Sequence, residues 1–396
     1  MIDLKIDLEI DLKIDLVIRT GENTMETPVL IIMCAFFVIG GFDYIFGSPL
    51  RLGNKFEEGI RTMGPLALGI IGIYSLAPFL LTYLTPATGM ISLFLHIDPS
   101  ILPACIFPVD MGGYQIAQSL ASSPDFGRFS GIIIASTIGA TISFSIPVAC
   151  KFIKKEDNRL FAEGLVIGII SIVPGCFLAG LLSGIDVLAL IKNMLPLFVI
   201  IALLSVSLIK APAGTLIGFI IFGKVISAIG IIGLLFQGLD VILGVKIIPN
   251  LIPFSDTAVL VGKIALILGG AYPMMEVLNR VLKRSFVKIG SALRVNSNSI
   301  AAIIGNLASN ILVWGTMKDL DERGKVLCTA LAVSAAFVLG GQFAYVVSVE
   351  PSMAGPFFAA KLASGAISII LTMYLLGRKN YQVKVPGAAD KHTESV

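Results

Sequence analysis

Apolar runs long enough to cross a bilayer recur through most of this chain, and no other feature narrows its possible folds so sharply. Gly164–Leu182, Leu195–Ile209 and Leu216–Phe236 approach or exceed the roughly 17 to 25 residues that a helix needs to span hydrocarbon. Of 396 residues, 56% are hydrophobic and only 14% charged, with a mean hydropathy of +0.93. A soluble domain needs far more charge to cover its surface. The sequence therefore predicts an all-α polytopic membrane protein.

The same composition excludes several classes of function. The net charge of +3 and pI near 8.5 come from basic loops, so nucleic acid is not an expected partner. Cys34, Cys105, Cys150, Cys176 and Cys328 stand singly in or beside apolar spans, with no C-x-x-C pair, and read as buried reduced thiols. His96 and His392 have no metal-ligand spacing, so a zinc site or a His-based triad lacks its parts. No metal or other cofactor is expected. The first sixteen residues, "MIDLKIDLEIDLKIDL", alternate apolar and charged and have no signal-peptide regions. Residues 1–24 read as a low-complexity extension, with a functional beginning at Met25.

Apolar segments fall at about 28–46, 60–84, 99–121, 128–150, 161–182, 185–209, 213–244, 257–282, 298–315, 325–348 and 354–377. The two halves match. "GFDYIFG" at Gly41 pairs with "GLDVILG" at Gly238, placing Asp43 and Asp240 197 positions apart. "FAEGLVIGIISI" at Phe161 pairs with "FAAKLASGAISI" at Phe358 at the same offset, and "GRF" at Gly127 with "GKV" at Gly324. "GPLALGIIGIY" from Gly64 pairs with "GKIALILGGAY" from Gly262, one position further out. Collinear matches at nearly one offset indicate a duplicated unit.

Basic residues orient the two units. Let 99–121 and 298–315 dip into the membrane and return, let the other nine segments cross, and place the N-terminus outside. The cytoplasmic loops then hold Arg51, Lys55, Lys151, Lys154, Lys155, Arg159, Lys210, Arg280, Lys283, Arg284, Lys288, Arg294, Lys318, Arg323, Lys325, Arg378 and Lys379. Only Arg128, Lys192 and Lys246 remain outside, besides the N-terminal extension. Eleven crossings would put seven of those cations on the wrong face. The expected organisation is a first membrane repeat at 25–182, a linking helix at 183–212, a second and inverted repeat at 213–378, and a cytoplasmic tail at 379–396. Each repeat carries about five helical segments, one of them re-entrant and broken. Inverted repeats with broken elements near the midplane suit alternating-access carriers.

The re-entrant stretch "FPVDMGGYQIA" concentrates the chemistry. Pro99, Pro103 and Pro108 interrupt helix, while Gly112 and Gly113 permit close backbone approach and positive φ. Asp110 is costly there if charged and unpaired, so a bound cation, a proton or the freed amides of the break must compensate it. Its counterpart, "NSNSIAAIIGNLASNILVW", offers Asn306, Ser309 and Asn310 and no charge. An acidic face opposite an amide-and-hydroxyl face fits a small ligand bearing a cation and a hydroxyl; helix-packing polarity is the other reading. Tyr114 and Tyr272 present aromatic faces suited either to an ammonium or to packing. Gln342 lies beside a Gly-Gly break in "VLGGQFAY". Asp43 and Asp240 sit near span ends, as coupling or gating groups or as caps. Glu276 precedes Arg280 by four residues and reads as a surface pair.

These stretches, with "FEEGIRTMGPLALGIIGIYSLAP", "FSIPVA", "GAYPM", "MKDLDERGKV" and "AVSAAFVLGG", resemble the ethanolamine-utilisation transporter family (EutH) in order, from about Met25 to Arg378. The resemblance implies a permease of the bacterial cytoplasmic membrane that supplies ethanolamine for breakdown, not an enzyme. By the same resemblance the acidic-diglycine motif falls on Asp110, Gly112 and Gly113, and the asparagine-rich element on Asn306 and Asn310. The chain departs from the family where an acid and a histidine are replaced by Gly341 and Gln342, and where an Asn-Asn pair reads Ser309-Asn310. Ethanolamine and the lipid bilayer are the expected partners, and a homo-oligomer stays open. A channel, a carrier for another small amine and an intramembrane aspartyl protease are the alternatives. The last needs two converging aspartates, and the G-x-G-D pattern is missing from the sequence.

Overall fold

The structure, a computed structural model, describes residues 26–377, the side chains of 26–27, 279 and 282–292 excepted. The extension at 1–24, the tail at 379–396 and the cations Arg378 and Lys379 lie outside the described residues, as do the side chains of Lys283, Arg284 and Lys288. Every regular element among the described residues is helical. In chain order these are α1 (Glu26–Ile45), the short α2 (Gly53–Arg61) and α3 (Met63–Leu95), then a hairpin of α4 (Ile101–Ile106) and α5 (Tyr114–Leu120). α6 (Pro124–Ala149), α7 (Asn158–Leu182) and the linking α8 (Val187–Lys210) follow. The second half comprises α9 (Pro212–Leu243), α10 (Phe254–Leu293) and a hairpin of α11 (Ser297–Asn306) and α12 (Asn310–Thr316). It ends with α13 (Glu322–Ser334), α14 (Gly341–Val349) and α15 (Ala354–Gly377).

Among the described residues, eight helices are long and apolar enough to cross a membrane. They differ in where they sit. The α6 span is 83% buried and central, whereas that of α9 is 28% buried and presents Ile217, Ile221, Val225 and Leu235 outward. In lipid such an apolar exterior is solvated by acyl chains, so it needs no polar cover. α6 is wound as a π-helix over Phe129–Gly139 and again over Thr141–Ser145, with Ser136, Thr137, Thr141 and Ser145 all buried.

Both short-helix hairpins return to the face they leave. Asp98, buried before α4, accepts from Ser100 N at 3.0 Å and from Ser122 N beyond α5 at 3.0 Å. In the second half, Asn296 N donates to Asp321 Oδ1 at 3.1 Å and its Nδ2 to Asp319 O at 3.0 Å, joining the start of α11 to the end of α12. The ends of each hairpin are thus clamped together by carboxylates or asparagine.

The segment expected as one span over 325–348 is instead two helices, α13 and α14, with helix lost between them. The reason is mutual backbone satisfaction. Phe337, at φ 62°, donates its N–H to Asn306 O at 3.2 Å, and Leu339 N donates to Leu307 O at 2.9 Å. Gly340 lies so close to the α11–α12 break that a Cβ there would stand 1.9 Å from Ala308 O. Two interrupted helices supply each other's missing partners, the condition under which irregular backbone survives at membrane depth.

Glycines set the tightest crossings between the halves. A Cβ on Gly72 of α3 would lie 1.7 Å from Gly230 O of α9, and one on Gly233 would lie 2.2 Å from Gly72 O. On the other side, a Cβ on Gly270 of α10 would lie 2.1 Å from Met33 O of α1. Small residues let backbones approach where no hydrophobic effect drives helices together.

The halves also meet through charge. Lys325 Nζ of α13 donates to Asp157 Oδ1 before α7 at 2.6 Å, each side chain 15% exposed. Removing one member leaves the other shielded from water without a partner. Asp157→Ala and Lys325→Ala should each lower the detergent-solubilised melting temperature. The double variant should lose less than the sum of the two, a coupling readable in a thermal double-mutant cycle.

Candidate functional site

The first hairpin break is built from residues that cannot continue a helix. Pro108 contributes no N–H, and its carbonyl accepts from Met111 N at 3.0 Å and Gly113 N at 2.9 Å. Gly112 takes φ +81°, and a Cβ there would meet Ile73 Cγ2 of α3 at 2.7 Å. A Cβ on Gly113 would be 2.5 Å from both Phe107 O and Pro108 O. The tight loop Val109–Gly113 therefore depends on both glycines, and it packs between α3, α6 and α14. Gly112→Ala adds a left-handed penalty of about 1–2 kcal/mol to the contact with Ile73. It should cut uptake at least tenfold while surface expression falls less, as measured by transport normalised to protein in the membrane.

Asp110 sits in that loop, partly exposed. Its carboxylate accepts from no side chain and from no other residue's amide among the described residues; only its own N–H lies in reach. Tyr345 of α14 interacts with the carboxylate electrostatically, and a chain of polar contacts runs on from that tyrosine and from the start of α5. Gln115 Nε2 of α5 donates to Tyr345 Oη of α14 at 2.7 Å, while Gln115 Oε1 is buried without a donor. Tyr74 of α3 faces the same glutamine. Tyr114 Oη donates to Glu350 Oε2 at 3.2 Å.

A lysine completes the group. Lys361 of α15 is 2% exposed; its Nζ donates to Ser136 O of α6 at 2.6 Å and to Gln342 Oε1 of α14 at 3.0 Å, and lies 5.6 Å from the Phe357 ring centre. Asp110 and Lys361 interact electrostatically without meeting as an ion pair. Glu350 is engaged by Tyr114 Oη, so the carboxylate and the cation that face each other across the break are Asp110 and Lys361.

The other expected site residues have other surroundings. Asn306 Nδ2 donates to Leu331 O at 3.0 Å, and Asn310 Nδ2 to Ser145 Oγ at 2.7 Å and Ala332 O at 3.2 Å. Both amides thereby serve carbonyls at the end of α13, and the Oδ1 of each is buried without a donor. Ser309 caps α12 through Ile311 N at 3.3 Å. No hydrogen bond joins Asp110 to Asn306, Ser309 or Asn310 among the described residues. Tyr272 lies instead with Ser309, Lys55, Glu58 and Glu276 around a separate cavity of about 250 Å³ beside the second break. Asp43 is buried, with Oδ1 accepting from Leu50 N at 2.9 Å and Oδ2 from Leu52 N and Gly53 N at 2.8 and 2.7 Å. That geometry caps the start of α2. Asp240 lies in the last turn of α9, partly exposed.

Sequence reasoning missed Lys361, Tyr345, Gln115, Glu350, Tyr74 and Ser136. Lys361 had a signal: a lysine in the middle of an apolar run is rare enough to mark function by default.

Membrane-crossing helices around a half-buried acid, a buried lysine and two interrupted hairpins define a multi-pass membrane protein with a polar site at depth, the layout of a permease. The chain belongs to the ethanolamine utilisation protein EutH family, whose model matches residues 25–375. It is 38% identical to "Probable ethanolamine permease EutH" of Listeria monocytogenes over 88% of this chain and 94% of that one. It is 33% identical to the Salmonella typhimurium protein of the same name, over 91% and 98%, and 35% identical to "Uncharacterized protein YxeR" of Bacillus subtilis, over 86% and 92%. No solved structure matches it. It is a multi-pass bacterial membrane protein of a permease family and not an enzyme.

Proposed function

We propose that this protein imports ethanolamine by alternating access, with the substrate's ammonium bound at Asp110. The observation that carries this reading is a carboxylate that, among the described residues, accepts no hydrogen bond from another residue and forms no ion pair, in a family whose relatives are named for ethanolamine. A charge in that position calls for a counter-charge, and a protonated primary amine supplies one. The aromatic ring of Tyr114 lies beside the loop, suited to the cation's flank. Gln342 spends Oε1 on Lys361, while its Nε2 has no hydrogen bond among the described residues and can donate to the substrate hydroxyl. Asn306, Ser309, Asn310 and Tyr272 then line the second break as the opposing gate rather than as first contacts.

The carrier mechanism draws support from order and contact. Each half runs two long helices, a broken hairpin, an irregular element and a closing helix. The Gly72–Gly230 crossing has a partner in the Gly270–Met33 crossing, and Met33 and Gly230 stand 197 positions apart. We read the halves as inverted repeats, N-terminus outside and C-terminus inside, rocking about these crossings. Proteoliposomes decide between carrier and channel. Preloaded unlabelled ethanolamine should accelerate entry of labelled ethanolamine and drive a transient overshoot; entry indifferent to preloading overturns the alternating-access reading.

A further inference from the structure

Lys361 has a role that ammonium binding at Asp110 alone does not give it. A protonated lysine carries three N–H donors and a neutral one carries two. Two acceptors are in place, Ser136 O at 2.6 Å and Gln342 Oε1 at 3.0 Å, and no third acceptor meets Nζ among the described residues. Those acceptors come from α6 and α14, two of the elements against which the Asp110 loop packs. The titratable groups that face Lys361 are Asp110 from the loop and Cys176 from α7; Phe357 of its own helix flanks it. Before an amine binds, Asp110 and the Lys361 cation balance each other, while Glu350 is engaged by Tyr114 Oη. Adding an ammonium beside Asp110 leaves one uncompensated positive charge in a site walled by apolar helices, which costs several kcal/mol by the usual penalties for buried charge.

We infer, resting on the reading of Asp110 as the ammonium site, that Lys361 is the resident cation of the empty site and gives up one proton for each monocationic amine that binds. The step balances. One N–H bond of the Lys361 ammonium breaks, the electron pair stays on Nζ, and the proton leaves to water on the open side. The arriving amine keeps all its protons and takes over as counter-ion to Asp110. The neutral Lys361 amine keeps two N–H groups, matched to Ser136 O and Gln342 Oε1. The site's net charge is the same before and after, so substrate and proton move in exchange. A neutral alcohol of the same size would displace no proton.

The test counts protons. Purified protein in weakly buffered detergent solution is mixed with ethanolamine adjusted to the same pH near 7, with an indicator dye for released protons and calorimetry for bound amine. The expected count is close to one proton per amine bound. Lys361→Met should keep binding within a few-fold or tighten it and release none. Lys361→Arg, whose guanidinium stays charged, should bind at least tenfold more weakly. A wild-type count near zero overturns the inference, and it does so even if neither variant folds. A count of one that persists in Lys361→Met assigns the proton to another group and also overturns it, as does Lys361→Arg with wild-type affinity. Asp110→Asn separates this inference from the one beneath it. Wild-type affinity in Asp110→Asn removes the ammonium reading itself. Lost affinity there, with no proton released by the wild type, leaves that reading standing and removes only the role of Lys361.

Discussion

Asp110→Asn is expected to abolish uptake of labelled ethanolamine at acidic pH while the protein still reaches the membrane. Asparagine preserves the size of the side chain but removes the charge. The loop itself does not use the carboxylate, since its geometry is held by Pro108 O, Met111 N and Gly113 N. Truncating one partner of a buried, hydrogen-bonded charge pair costs about 2–5 kcal/mol, which is roughly 30-fold to several thousand-fold in affinity. Acidic pH makes the measurement clean. A primary amine with a pKa near 10 is about one part in ten thousand free base at pH 6, so leakage of the neutral form through lipid cannot mask the loss. Asp110→Glu keeps the charge but moves it by a methylene in a tightly constrained loop, and should fall between the two. Wild-type uptake by folded Asp110→Asn would sink the idea.

The second large effect is structural. Gly72→Val should remove folded protein altogether. Its Cβ would occupy a point 1.7 Å from Gly230 O, and the obstacle is backbone rather than the movable end of a side chain. The only relief is for α3 and α9 to part, which also withdraws the Gly233 contact on Gly72 O and the packing of Ile73 against the Asp110 loop. Overpacking inside a core costs typically 1–3 kcal/mol when neighbours can shift, and here the two helices belong to different halves. Size-exclusion chromatography should show aggregate or no peak for Gly72→Val. Gly64→Ala on α3 and Gly218→Ala on α9, where a Cβ would meet nothing within 4 Å, should elute as wild type. A monodisperse, transport-competent Gly72→Val contradicts the crossing as described.

How much was legible in the sequence follows from which forces leave a local trace. Apolar runs announce membrane helices because length and hydropathy are local properties, and the helical, multi-pass character was readable at once. The hairpin at 101–120 was readable because Pro108 and the Gly112-Gly113 pair write a backbone break directly into composition. The break between α13 and α14 was legible only in the Gly340-Gly341 pair that ends it. No proline stands in "AVSAAFVLGG", and what interrupts the helix is a distant pair of carbonyls, Asn306 O and Leu307 O, that claim the amides of Phe337 and Leu339. Lys361 was readable in principle, since "FAAKLASG" places a lysine opposite Gly164 in the paired "FAEGLVIG". The repeat drew attention to identities, whereas the chemistry lay at the mismatch. Asn306 and Asn310 were visible as polar residues in an apolar element. That their amides would serve Leu331 O and Ala332 O depends on contacts across more than twenty residues, which no spacing encodes. Asp43 illustrates the converse: an acid at a span end gave both a capping and a gating reading, and three backbone amides occupy it.

The most direct measurement is the position of the amine nitrogen in an electron cryo-microscopy structure of the protein with ethanolamine bound. The nitrogen should lie within about 3.2 Å of an Asp110 carboxylate oxygen, with the hydroxyl toward Gln342. Ethanolamine seated instead in the cavity of Tyr272 and Ser309, with Asp110 unpaired, would contradict the account.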